Sequence, residues 1–109
     1  LAAFAQASRT SARPVLLVTA SNLAREKLEI LAADRFNTSR GYSYLVSGNY
    51  PDESPVAAFT MTRSVALTDV SPSDLSTTQT GSGYRKAVVT VRWAGGSSSL
   101  SLSTLFTDH

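Results

Sequence analysis

The sequence predicts an α+β domain in which one long N-terminal helix lies on one face of a roughly four-stranded antiparallel sheet. Three observations carry this. Residues 14–36 place apolar side chains at spacings of three and four. From Tyr42 onward the periodicity falls to two. Near the C-terminus, Gly95-Gly96 separates two alternating runs, the pattern of a hairpin.

The helix is PVLLVTASNLAREKLEILAADRF. Leu17, Ala20, Ala24, Leu28 and Leu31 line one face, and Leu16, Leu23 and Ile30 recur every seven residues as a flanking stripe. Arg25, Glu26, Glu29 and Arg35 lie mostly off this arc, where ion pairing contributes little. Pro14 suits a first turn, where an amide hydrogen has no intrahelical acceptor. The run NTSRGY ends the pattern, with Gly41 as a late stop. Residues 1–13 are rich in Ala and Ser. They read either as a lower stretch of the same helix, kinked at Pro14, or as a frayed end.

Tyr42, Tyr44 and Val46 alternate with Ser43 and Leu45 and predict a short first strand. SGNYPDESP, residues 47–55, is a loop. In VAAFTMTRSVALTDV, Phe59, Met61, Val65 and Leu67 share one face and Thr60, Thr62, Ser64 and Thr68 the other. Arg63 falls on the apolar side, which predicts either a snorkelling edge residue or a bulge. Residues 71–83 form a polar loop. YRKAVVTVRWA then puts Ala87, Val89, Val91 and Trp93 on one face, and SSSLSLSTLF returns with Leu100 and Leu102 inward.

The 109 residues, 42% of them hydrophobic, fit one domain over residues 1–109 with a helical part at 1–36 and a sheet-and-loop part at 42–109. There is no cysteine, so disulfides, thiolate metal sites and cysteine nucleophiles are excluded. The net charge of +2 comes from scattered basic residues. The pairs Arg85-Lys86 and Arg25/Lys27 are too small for a nucleic-acid patch and read as solvated faces.

The catalytic inventory is thin. The one histidine is His109, the last residue, so neither a Ser–His–Asp triad nor a typical zinc site assembles, and no enzyme activity or cofactor is expected. Asp52, Glu53, Asp69 and Asp74 would gather a calcium ion only if two loops met. Their spacing matches no calcium loop, and solvated acids are the simpler reading. Asp74 also suits a local turn with the backbone that follows it. Most aromatic residues occupy apolar strand positions and read as core. Tyr50 and Tyr84 are better placed for exposed contacts.

The runs ASNLAREKLEILAADRF and VVTVRWAGGSSSLSLSTLF resemble the periplasmic part of type IV pilin-like proteins, closest to the minor pilins and the minor pseudopilins of type II secretion. The matching residues are Leu23, Ala24, Glu26, Leu28 and Glu29, then Val89, Val91, Trp93, Gly95, Leu100, Leu102, Thr104 and Leu105. The family's peptidase site and apolar half-helix are not in this sequence, so the resemblance implies that they lie upstream of Leu1. It further implies an inner-membrane-anchored, periplasmic or extracellular filament subunit of the bacterial envelope. Its partners would be other pilin or pseudopilin subunits, with no nucleic acid unless the system is a DNA-uptake pilus. Assembly through the N-terminal helix would involve Phe4, Arg9, Arg13 and Leu16. The alternative is an extracellular adhesin-like module using the 47–55 and 71–83 loops, with Tyr50, Asp52, Glu53 and Asp74 as surface contacts.

Overall fold

The computed structural model describes residues 8–9, 14–54, 61–93 and 98–108. The architecture is α+β, with one helix packed against a three-stranded antiparallel sheet. A two-residue strand, β1 (Ser8–Arg9), adds to one edge. The helix α1 runs Pro14–Phe36, followed by two 3-10 turns at Tyr42–Tyr44 and Ser47–Asn49, then β2 (Thr62–Asp69), β3 (Tyr84–Trp93) and β4 (Ser98–Thr107). The sheet order is β1-β4-β3-β2, all neighbours antiparallel.

The helix forms where its periodicity places it. The turn that follows takes up the Asp34 carbonyl near the helix end: the amides of Asn37 and Gly41 both donate to it, at 3.2 and 3.0 Å. Gly41 has φ of 69°, a region that a side chain disfavours, and this lets the chain reverse there.

Ala20, Ala24 and Leu31 are fully buried against Val65, Val89, Val91, Trp93, Leu100, Leu102 and Phe106, with Leu16, Leu17, Leu23 and Leu28 packed at the margins. Ile30, the third member of the flanking stripe, is exposed instead. The opposite sheet face carries Thr62, Ser64, Thr90, Ser99 and Ser101. The Thr90 and Ser101 hydroxyls bond each other at 3.0 Å.

Several expectations are corrected. Tyr42–Val46 is not a strand, because its alternation finds no sheet edge and the two 3-10 turns form instead. The fourth strand is Ser8–Arg9, extended beside Leu100 and Ser101, so the helical part does not run unbroken over 1–36. The Arg63 register is neither bulged nor slipped, since Thr62 to Asp69 pair one-to-one with Arg92 to Arg85. Phe4, Arg13, Phe59, Gly95-Gly96 and His109 lie outside the described residues.

Candidate functional site

The segment 37–54 wraps from the helix C-terminus to the outer edge of β2 and is held there by three polar clusters. They form the chemically richest region among the described residues.

The first cluster centres on Arg63. Strand alternation points it at the helix, where its side chain is only 4% exposed. A guanidinium at such depth requires partners. Its Nη1 donates to Glu26 Oε1 at 2.8 Å and to the Leu23 carbonyl at 3.1 Å, and its Nη2 donates to Glu53 Oε2 at 3.2 Å. Lys27 Nζ meets the other Glu53 oxygen at 2.6 Å. Lys27 is itself buried, so this residue is not on a solvated face. It stands four residues before Leu31, inside the apolar arc, which is the sequence signal for its burial. Burial pushes the Glu53 carboxyl up, but hydrogen bonds from Lys27 and Arg63 outweigh this and hold it below its ordinary value.

The second cluster is Asp34, Tyr50 and Arg40. The Tyr50 hydroxyl donates to Asp34 Oδ2 at 2.7 Å, and Arg40 Nη1 donates to Asp34 Oδ1 at 2.9 Å. The Tyr50 ring stands edge-on to Tyr44, with centroids 5.8 Å apart. The third cluster is built by Arg85. Its Nε donates to Asp69 Oδ1 at 2.7 Å, its Nη1 donates to the carbonyls of Tyr42 and Leu45, and its guanidinium lies 4.3 Å from the Tyr42 ring centroid. The hydrogen bond from Arg85, then one from the Gly81 amide, lowers the Asp69 pKa.

These contacts revise the surface residues. Tyr50 is 4% exposed and turned inward, because its hydroxyl finds a buried carboxylate. Glu53 is half-buried and engaged by two cations. Asp52 and Asp74 remain at the surface. Asp74 makes the local turn: hydrogen bonds from Thr77 Oγ1, Ser76 Oγ and the Ser76 amide lower its pKa to about 2. The four loop acids thus do not converge, and no group of three His, Cys, Asp or Glu side chains does so among the described residues. Leu16 packs partly against the core, while for Arg9 the structure describes the backbone alone, paired with Leu100.

The arrangement is an anchoring network with two cations in a half-open socket at a sheet edge. Among the described residues no helix is long and apolar enough to cross a membrane. In comparisons with known proteins, no family model, no curated protein and no solved structure matches this chain.

Proposed function

We propose that this chain is a structural subunit of a bacterial envelope filament, a minor pilin or pseudopilin that assembles helix against helix. The observation that carries the reading is the outer stripe of α1. Val18, Asn22, Arg25, Glu29, Ala33 and Phe36 recur at helical spacing and are all exposed, Val18 at 59% and Phe36 at 68%. The sheet buries the other side of the helix, so this stripe is free to meet neighbouring helices. The helix-then-antiparallel-sheet order and the sequence resemblance support the same reading. Leu16 belongs to the sheet-facing side, which moves the assembly surface around the helix to Val18 and Ala33.

In this reading the partners are other pilin-like subunits, and a separate apolar anchor, divided from α1 by the Ser8–Arg9 strand, ties the chain to the inner membrane. No catalytic step is involved. The test is a full-length protein carrying Val18→Glu and Ala33→Glu. Both positions are exposed, so the melting temperature should stay within a few degrees while co-purification with other pilin subunits is lost. Normal incorporation of a folded double variant would remove the helix stripe as the assembly surface and bring the adhesin-like reading forward.

A further inference from the structure

The outer edge of β2 is closed in an unusual way. Glu53 forms a single antiparallel bridge with Arg63: the Glu53 amide donates to the Arg63 carbonyl at 2.9 Å, and the Arg63 amide donates back at 2.7 Å. Because hydrogen-bonding direction alternates along an antiparallel strand, Val65 and Leu67 turn their amides and carbonyls to the same outer edge. The Leu67 amide donates to Ser47 Oγ at 2.9 Å, a side-chain substitute for a strand partner. The residue that a continued ladder would set against Val65 is Pro51, two before Glu53. Proline has no amide hydrogen, so the resident segment cannot extend the ladder past Arg63.

The side chains tell the same story. Arg63 and Lys27 form a socket for one carboxylate, and Glu53 fills it incompletely. It reaches Arg63 through Nη2 alone at 3.2 Å, while the buried Arg63 Nε has no hydrogen-bond partner. A guanidinium of this orientation offers Nε and Nη2 as a fork to a carboxylate.

We propose that this edge is a docking site for an extended, acid-bearing segment of another polypeptide, and that Glu53 occupies the site in its absence. The incoming segment carries a glutamate opposite Arg63 and a non-proline, apolar residue opposite Val65. It adds a strand to β2, takes the Arg63 fork and Lys27 with its carboxylate, and makes the backbone bonds that Pro51 withholds. Charge complementarity sets the class of partner, because an uncharged segment would leave the buried Lys27 without its carboxylate and Arg63 held by Glu26 alone among carboxylates. The inference holds whether or not α1 is an assembly surface.

The probe is the peptide fluorescein-Thr-Ser-Val-Thr-Glu-Thr-amide, labelled at its N-terminus and titrated by anisotropy against wild type and Glu53→Gln. Two control peptides replace its Glu by Gln or its Val by Pro. The Glu peptide should bind Glu53→Gln at least about tenfold more tightly than wild type, and each control should bind at least about tenfold more weakly. Equal binding to both proteins, equal binding of the Glu and Gln peptides, or no binding at all overturns the proposal. Should Glu53→Gln fail to keep the wild-type melting transition, the wild type is titrated with the Glu and Gln peptides at higher concentration. A preference for Glu there supports the site, and none refutes it.

Discussion

Tyr50→Phe tests how the 37–54 segment is held. The substitution keeps the ring, and with it the edge-on contact to Tyr44, and removes one oxygen. That oxygen donates to Asp34 Oδ2 at 2.7 Å in a buried setting. A hydrogen bond to a charged acceptor contributes about 1.5–3 kcal/mol. Because Arg40 continues to hold the other Asp34 oxygen, about 2 kcal/mol is the expected loss. Urea titration followed by far-UV circular dichroism should show a lower midpoint with an unchanged slope, and the melting temperature should fall by roughly 10 °C. Alkaline pH provides an independent arm. Burial first, then the hydrogen bond to Asp34, raises the Tyr50 pKa far above its ordinary 10. A raised folded-state pKa means that the native protein keeps a proton which the unfolded chain loses above pH 10. This contribution is therefore complete below pH 10 and declines above it, by about 1.4 kcal/mol at pH 11. The stability gap between wild type and Tyr50→Phe should narrow by that amount from pH 9 to pH 11. A midpoint change worth less than about 0.5 kcal/mol at pH 7, with no narrowing, would refute the Tyr50–Asp34 anchor.

Two further perturbations address the core and the Arg85 cluster. Leu31 is fully buried and Leu28 partly so, and Leu31→Ala should cost about 3 kcal/mol against about 1–1.5 kcal/mol for Leu28→Ala. Equal costs by urea titration would mean that the inward helix face is centred elsewhere. Asp69→Asn removes a carboxylate whose pKa is lowered first by Arg85 and then by the Gly81 amide. A lowered pKa stabilises above the unfolded value near 4 and is lost as pH falls through the folded value. Wild type should therefore exceed Asp69→Asn by about 2 kcal/mol at pH 7, and the gap should shrink from pH 5 to pH 2. A gap independent of pH over that range would rule out an ionised Asp69 as the partner of Arg85.

The parts legible from the sequence are those whose cause is local. Pro14–Phe36 is a helix because its apolar residues recur at 3.6, and β3 and β4 are strands because theirs recur at two. Each periodicity extends over ten residues or more, long enough to outweigh the competing conformations. The alternation at Tyr42–Val46 covers five residues and fails. The main tie on that segment comes from far along the chain: Arg85 donates to the carbonyls of Tyr42 and Leu45 from 43 and 40 residues away, while Asn49 Nδ2, only five residues on, donates to that of Tyr44.

The buried charges divide in the same way. That Arg63, Lys27 and Asp34 face inward follows from periodicity, which places Arg63 with Val65 on its strand and Lys27 and Asp34 four before and three after Leu31 on the helix. Whether an inward charge is tolerated depends on its partners. Glu26 stands 37 residues from Arg63 and Tyr50 stands 16 from Asp34. Periodicity gives the direction of a side chain from its immediate neighbours alone. The compensation of a desolvated charge depends on which distant groups the completed fold brings within hydrogen-bonding distance, and only the tertiary structure decides that.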